Sequence, residues 1–467
     1  MSPARWAAYQ AVAAVGAGSD LATALARART PLTDPRDRAL AGEIALGVFR
    51  WLAALDYVIE RLARRPAAKI EPIVLDILRV AVYQLTHLDR VPAAAVVNDA
   101  VDMARRAKRT GAAGFVNGVL RALGRRPPSL PPRPDPGRLG EPAMRAQALD
   151  YLSITLSHPR WLVERWLART GFEAAEAWAR FNNEPAPLTL RANTLRVDRE
   201  ELKSLLSAHD VECGDTRLAT EGLIVRRGNP LLSPLTDRGL FLVQDEASQL
   251  VAEVLAVRSG ERILDACASP GGKTVAIAAH AGADGLVVAS DFRPRRIRLL
   301  VDTVRRTGAD RVRIVRTDLR HPLPFGQAFD AVLVDAPCSG LGTIRRDPDI
   351  RWRRTEADVA RLATETLTML THAAAVVRPG GRLVYATCSS EPEENEDVVS
   401  RFLENRPAFR QMNARTDASL LRTMGTLETV IDESGSLRTL PHVHALEAFF
   451  AVVLVHYGGA GLETGLS

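Results

Sequence analysis

The sequence predicts a multidomain protein with three architectures in series. These are an all-α N-terminal bundle, a small α+β intermediate unit, and a C-terminal α/β domain built on a mostly parallel sheet. Three observations carry that division. Apolar residues recur at helical spacing through the first 126 residues, a proline-rich stretch follows at 125–142, and from about residue 240 short apolar runs alternate with helix-length segments. At 467 residues the chain is also too long for one compact core.

In the first region, residues 1–126, Ile44, Val48, Leu52, Leu55, Ile59 and Leu62 line one helical face. Ile73, Ile77, Val80, Ala81 and Leu85 line another, with Pro66 and Pro92 as punctuation. A helical bundle follows. The segment RRPPSLPPRPDPGRLGEP cannot continue a packed helix or sheet, so residues 127–145 are expected to be a semi-rigid linker. Residues 146–239 are expected to hold the α+β unit: a helix over Trp161–Arg180, then the short strands PLTLRANTL and LIVRRG flanking a helix near Arg199–Ala208. Residues 240–460 contain RILDACA, GLVVASD, RVRIVRTD, FDAVLVDAP, GRLVYATCS and FFAVVLVHY, which read as strands of a sheet covered on both faces.

Net charge is +6 but unevenly placed: residues 1–126 carry 19 Lys+Arg against 11 Asp+Glu, a surplus of +8. A basic module on a near-neutral body suits a polyanion. No stretch of about 18 uncharged apolar residues occurs, so no membrane partner is expected, and the N-terminus reads as a helix rather than a leader. Four cysteines, Cys213, Cys267, Cys338 and Cys388, are too few for a disulfide framework, and no pair has metal-ligand spacing. Reduced thiols, a cytoplasmic location, no metal and a monomeric state are the expectations.

In a doubly wound sheet the ligand sits at the carboxyl ends of the strands. Asp265, Asp291, Asp318, Asp335 and Cys388 all fall there. The first strand runs through a glycine-bearing turn into a helix, in ILDACASPGGKTVAIAAH. A phosphate-cradling Walker loop would need glycine where Cys267 stands, and no GxGxxG is present. A zwitterionic nucleoside such as S-adenosyl-L-methionine suits the loop better than a diphosphate. Asp291 could accept bonds from ribose hydroxyls and Asp318 could approach the adenine amino group, although an isolated acid at a strand end is often only a loop cap.

Cys338, in Asp335-Ala336-Pro337-Cys338, and Cys388, in Thr387-Cys388-Ser389, end the fourth and fifth of these strands. A buried inert cysteine is the ordinary reading of either one alone. As a pair beside a nucleoside pocket they suit pyrimidine chemistry. Carbon 5 of cytosine is too electron-poor to attack a methyl sulfonium until a thiolate adds at carbon 6 and converts the ring to an enamine. Asp335 is placed to bond or protonate ring N3, or to hold the methionine ammonium.

At these residues the chain resembles the bacterial 16S ribosomal RNA cytosine-C5 methyltransferases of the Sun/Fmu type. The resemblance rests on VQDEASQLVA (243–252), LDACASPGGKT (264–274), DAPCSGLGTIRRDPDIRW (335–352) and VYATCSSEPEENE (384–396). GVFRWLAALDYVIERL and AAGFVNGVLRAL resemble the NusB fold. The resemblance implies a NusB-like bundle and a Rossmann-like class I methyltransferase domain. It implies a cofactor loop over Cys267, Ala268, Ser269, Pro270, Gly271, Gly272 and Lys273, with further cofactor contacts from Asp291, Asp318 and Asp335. It implies Cys388 as nucleophile and Cys338 as the cysteine that assists product release. Three departures stand out: Ser269 for the family's second alanine, Arg346-Asp347-Pro348-Asp349 for Arg-His-Pro-Asp, and PHVHALEAFF for His-x-x-Asp-Gly-Phe-Phe.

The expected partner is RNA, as 16S rRNA or a small-subunit assembly intermediate, with the target base flipped or unpaired. Arg105, Arg106 and Arg109 in the bundle, and Arg345, Arg346, Arg351, Arg353 and Arg354 near the second motif, are candidates to grip phosphate. Trp352 is either a base-stacking platform or a core residue. Two rivals remain at this level: action on tRNA or another ribosomal site, and a non-catalytic RNA-binding factor.

Overall fold

The computed structural model describes residues 1–416 and 427–458, which divide into two compact units. Unit one comprises Met1–Pro185 and the separate segment Ile344–Arg354, and unit two comprises the rest.

Unit one is helical. Seven helices run from Pro3–Gly16 to Ala113–Arg125, followed by Pro142–Asp150 and Arg160–Asn183. Their starts are written locally: Asp20 caps Leu21–Arg29 by accepting from Thr23 N, and Asp34 caps Pro35–Arg50 by accepting from Arg36 N. Ile44, Val48, Ile59, Ile77, Val80 and Ala81 are fully buried in one core, and Leu52, Leu62, Ile73 and Leu85 pack on its edge. The helical periodicity therefore marks the interior.

The expected linker at 127–145 is corrected in part. Pro136 opens a 3-10 turn and Pro142 opens the helix Pro142–Asp150. Both prolines stand at the first helical position, where the missing N–H costs nothing. The irregular stretch before them is tied down by Arg133 on Glu176 at 2.7 Å and by the Thr155 hydroxyl on the Pro131 carbonyl at 2.7 Å. The helix expected over Trp161–Arg180 extends to Asn183 and breaks at Gly171.

The segment Ile344–Arg354 corrects one further expectation, for Arg351, and decides between the two readings of Trp352 in favour of the core. Arg351 is fully buried, its guanidinium donating to the Ser157 carbonyl and Asn183 Oδ1, each at 2.9 Å. It grips protein, not phosphate. The Trp352 indole donates to the Phe49 carbonyl at 2.6 Å and packs on the N-terminal core. Of the bundle arginines, Arg105 pairs with Asp102, Arg109 with Glu71, and Arg106 lies over the Trp6 ring.

Unit two holds two sheets. The first is antiparallel, of order β2-β3-β1-β4, with β1 Thr189–Ala192, β2 Glu212–Asp215, β3 Gly222–Arg227 and β4 Phe241–Val243. Its edge strand pairs Leu242 with Arg191, so this sheet continues past residue 239, the expected end of the intermediate unit. The second has β5 Arg262–Asp265, β6 Leu286–Asp291, β7 Arg313–Arg316, β8 Phe329–Asp335, β9 Val377–Thr387, β10 Phe409–Gln411, β11 Leu437–Thr439 and β12 Phe449–His456. Its order is β10-β12-β9-β8-β5-β6-β7, with β11 on β12. Strands β5 to β9 run parallel, and β12 enters antiparallel to β9.

Side chains alternate between two cores. Ile263, Ala331, Leu333 and Val384 lie in one, and Leu264, Val332, Val334 and Leu383 in the other. Helices cover both faces, which explains continuous apolar runs where one-sided strands would alternate. The order reverses at β5 and β8, where such sheets open a crevice at their carboxyl ends. Among the described residues no helix is long and apolar enough to cross a membrane, and no cluster of three metal-ligating side chains occurs.

Glu176 offers a test of the helical unit. Burial opposes its charge, yet bonds from Arg133, Arg180 and Tyr151 draw the carboxyl down to about 2. Its stabilisation is therefore complete above the usual glutamate range and lost as pH falls toward 2. Glu176→Gln is expected to lower the urea midpoint at pH 7, with the gap to wild type narrowing below about pH 4. A gap independent of pH would exclude the charge as its source.

Candidate active site

The carboxyl ends of β5, β6, β8 and β9 bring the predicted polar residues of unit two together, beginning with the turn after β5. Gly271 adopts φ +107°, and a Cβ there would stand 3.0 Å from Leu300 and 3.1 Å from Thr303. Only glycine makes this turn without strain and lets the helix Gly272–Ala281 start there. Asp265 accepts from Thr274 Oγ1 at 2.7 Å, while its Oδ1 is buried without a partner. Burial, joined by the charge of Asp335, pushes its carboxyl up to about 7.

Lys273, expected in the cofactor loop, spans the site. Its ammonium donates to Asp335 Oδ2 at 2.7 Å and to Ser248 Oγ at 3.1 Å. Asp291 is buried at the end of β6; its Oδ1 accepts from Phe292 N at 2.8 Å and Arg293 N at 3.3 Å, and Oδ2 lies 3.6 Å from Arg296. Asp318 is more exposed. Arg320 bonds both its oxygens and holds its carboxyl down to about 2, so this residue also fills the capping role an isolated strand-end acid often has.

Cys267 is held as a thiol. Burial and the carboxylates of Asp265, Asp335 and Asp291 push its pKa far up. The two cysteines at the ends of β8 and β9 meet: Cys338 Sγ and Cys388 Sγ are 3.3 Å apart, both partly exposed. The contact with Cys388, with burial, raises the Cys338 thiol well above its usual range. The Cys388 carbonyl accepts from Gly342 N at 3.0 Å, and a Cβ on Gly342 would lie 1.9 Å from the Ala448 carbonyl. Only glycine fits that crossing.

One residue without an assigned role organises the pair. Glu394 is 1% exposed, and its Oε1 accepts from Ser339 N at 2.6 Å. Its Oε2 accepts from the hydroxyls of Ser339 and Ser389. Those serines follow Cys338 and Cys388 in sequence, so one carboxylate holds both cysteine loops. Asn395 adds a bond to the Ser389 carbonyl at 3.1 Å, and the Tyr385 hydroxyl donates to the Glu394 carbonyl. The signal was present in the acidic run Glu391, Glu393, Glu394 and Glu396, but nothing in that run tells which acid bonds both serines.

Comparison with known proteins agrees over most of the chain. Residues 2–125 match the NusB family and residues 158–231 match a ferredoxin-like domain of RsmF/B-like methyltransferases. Residues 252–455 match the family described as 16S rRNA methyltransferase RsmB/F. The ribosomal RNA small subunit methyltransferase B of Pseudomonas putida is 33% identical over 429 residues, covering 91% of this chain and 94% of that protein. Its counterpart in Vibrio vulnificus is 32% identical over 451 residues, covering 94% and 96%. Among solved structures, PH0851 superposes with a TM-score of 0.81 at 25% identity, covering 97% of this chain and 99% of that one. A methyltransferase homologue from Pyrococcus horikoshii does so with a TM-score of 0.56 at 26% identity, covering 67% and 99%.

Glu394→Gln retains an acceptor for Ser339 N and partners for both hydroxyls, whereas Glu394→Ala strands them. The alanine variant is expected to lose roughly 1–3 kcal/mol in urea unfolding and the glutamine variant markedly less. The negative charge of Glu394 helps raise the Cys338 thiol. In Glu394→Gln the pH profile of thiol alkylation is therefore expected to move to lower pH, and an unmoved profile would contradict the charge coupling.

Proposed function

The chain belongs to the 16S rRNA methyltransferase RsmB/F family, and on that premise we propose that it moves a methyl group from S-adenosyl-L-methionine to carbon 5 of a cytosine in 16S rRNA, through a covalent bond between Cys388 and carbon 6. The observation that carries this reading is the 3.3 Å contact between Cys338 and Cys388 at the ends of adjacent parallel strands.

The residues after β5 and β6 fit the donor. A sulfonium with an ammonium group is a cation, and the acids Asp265, Asp291 and Asp335 gather negative charge at that end of the sheet, which adds to burial in raising the neighbouring Cys267 thiol. The turn Cys267–Lys273 offers backbone to the ligand, Asp291 Oδ2 is the group for the ribose hydroxyls, and Asp335 is the group for the ammonium. Asp318 reaches adenine only after leaving Arg320. The donor supplies an electrophilic methyl group.

The chain's own residues do the rest. The Cys388 thiolate adds at carbon 6 of the cytosine, and the displaced electron pair makes carbon 5 nucleophilic. Asp335 acts on N3 as an acid: it passes a proton from the Lys273 ammonium that bonds its carboxyl to N3 as negative charge develops there, and takes it back when the sulfur leaves. After carbon 5 is methylated, loss of its proton to solvent returns an electron pair to the ring, which re-forms the carbon 5–carbon 6 double bond and expels the Cys388 sulfur. Cys338, which keeps its proton, donates a hydrogen bond to the departing thiolate. We assign the NusB-like bundle to RNA binding, and the enzyme to the cytoplasm as a monomer acting on 16S rRNA or a partly assembled small-subunit particle.

Purified protein incubated with 16S rRNA and labelled donor is expected to yield 5-methylcytosine at a discrete position. Cys388→Ser is expected to abolish product while leaving donor affinity, measured by calorimetry, near wild type. Cys338→Ala is expected to accumulate a protein–RNA adduct that survives denaturing electrophoresis, and its absence would remove the release role. Asp291→Ala is expected to weaken donor binding about tenfold or more, and Asp318→Ala less.

A further inference from the structure

Within unit one, a cleft of about 400 Å³ opens between the helices Leu21–Arg29 and Pro35–Arg50 and the segment Ile344–Arg354. Leu21, Leu25 and Leu46 form an apolar wall, and Arg29, Arg38, Arg346 and Asp347 supply the charge. The guanidinium of Arg29 lies across Gly42, where a Cβ would fall 1.4 Å from its Nη2, so this position admits no side chain while Arg29 keeps its place. Arg29 Nε is buried with no hydrogen-bond partner. Neither Arg29 nor Arg38 makes a side-chain ion pair or hydrogen bond among the described residues, in contrast to Arg105 and Arg109. Burial and repulsion from Arg38 both disfavour the charge on Arg29.

Two cations that repel one another, one partly desolvated and neither matched by an acid, leave a site that gains most from an anion. The two non-bridging oxygens of a phosphodiester can accept two parallel bonds from a planar guanidinium. The adjoining leucines suit the apolar face of a ribose or base, which an inorganic anion lacks. Asp347 is the one opposing group. Burial near Asp349 pushes its carboxyl up to about 6, while Arg346 counters that rise.

We infer that this cleft is a phosphodiester site for single-stranded RNA, with Arg29 and Arg38 gripping one backbone phosphate and Leu21, Leu25 and Leu46 receiving the adjoining nucleoside. The inference rests on the reading of the substrate as RNA. It moves the phosphate grip of the helical unit away from Arg105, Arg106 and Arg109, whose side chains are already engaged.

The test is fluorescence anisotropy of the full chain with a labelled 20-nucleotide single-stranded RNA of mixed sequence, across a salt series. Arg38→Gln, at an exposed position, and Arg29→Gln are each expected to weaken binding about fivefold to tenfold. Loss of one phosphate contact lowers the slope of log affinity against log salt by about 0.7. Asp347→Asn is expected to tighten binding, a change of sign that a merely structural role does not produce. Competition by inorganic phosphate as effective as by unlabelled RNA would reassign the cleft to a free anion and overturn the proposal, as would wild-type affinity and salt slope in both arginine variants. Methylation of 16S rRNA is measured in parallel. Activity in the wild type with arginine variants that bind normally sinks this inference alone. Arginine-dependent binding without methylation by the wild type sinks the proposed reaction and leaves the cleft standing.

Discussion

The chemistry proposed for this protein depends on two sulfur atoms meeting, and a buried carboxylate arranges that meeting. Neighbouring parallel strands bring Cys338 and Cys388 to the same edge, but strand spacing of roughly 4.8 Å leaves loops free to diverge beyond it. Glu394 removes that freedom by accepting from Ser339 and Ser389, the residues that follow the two cysteines. Burying an acid is unfavourable unless its lone pairs are filled. Here one backbone N–H and two hydroxyls fill them, so the group that costs most to bury also ties the two loops to each other.

A second electrostatic pattern separates the cysteines by role. Cys267 is buried where the charges of Asp265, Asp335 and Asp291 converge, and burial first, then those charges, keeps its sulfur protonated. Lys273 answers part of that negative charge through Asp335. On the proposed reading, a cationic donor would compensate the remainder. Cys338 and Cys388 lie on the next strands, beside each other and partly open to solvent.

In the helical unit, the fate of each arginine follows from what surrounds it. Arg351 is buried among carbonyls and an amide, Trp352 is bonded to Phe49, and Arg353 pairs with Asp349 at 3.1 Å. Asp349, Arg351 and Trp352 belong to the longest of the matching motifs and Arg353 follows it directly, yet they fasten the segment Ile344–Arg354 into the helical core. Arg29 and Arg38, which belong to no such motif, are left without acids. Motif membership and availability for a ligand are different properties, and only the packing separates them.

Local periodicity was enough to read the helical bundle, the run of parallel strands that begins with Arg262–Asp265, and the row of acids and cysteines at strand ends, because these patterns are written within a turn or a strand of each other. The motif spacing likewise singled out Cys338 and Cys388 as a pair. Which glutamate of the run after Cys388 bonds both serines, whether Arg351 faces solvent or carbonyls, and which guanidiniums lack acids were decided only by the tertiary structure. Each of those depends on groups 50 to nearly 200 residues apart. No local pattern of charge or hydropathy encodes so distant a partner, since burial and pairing are set by the chain segments that packing brings alongside.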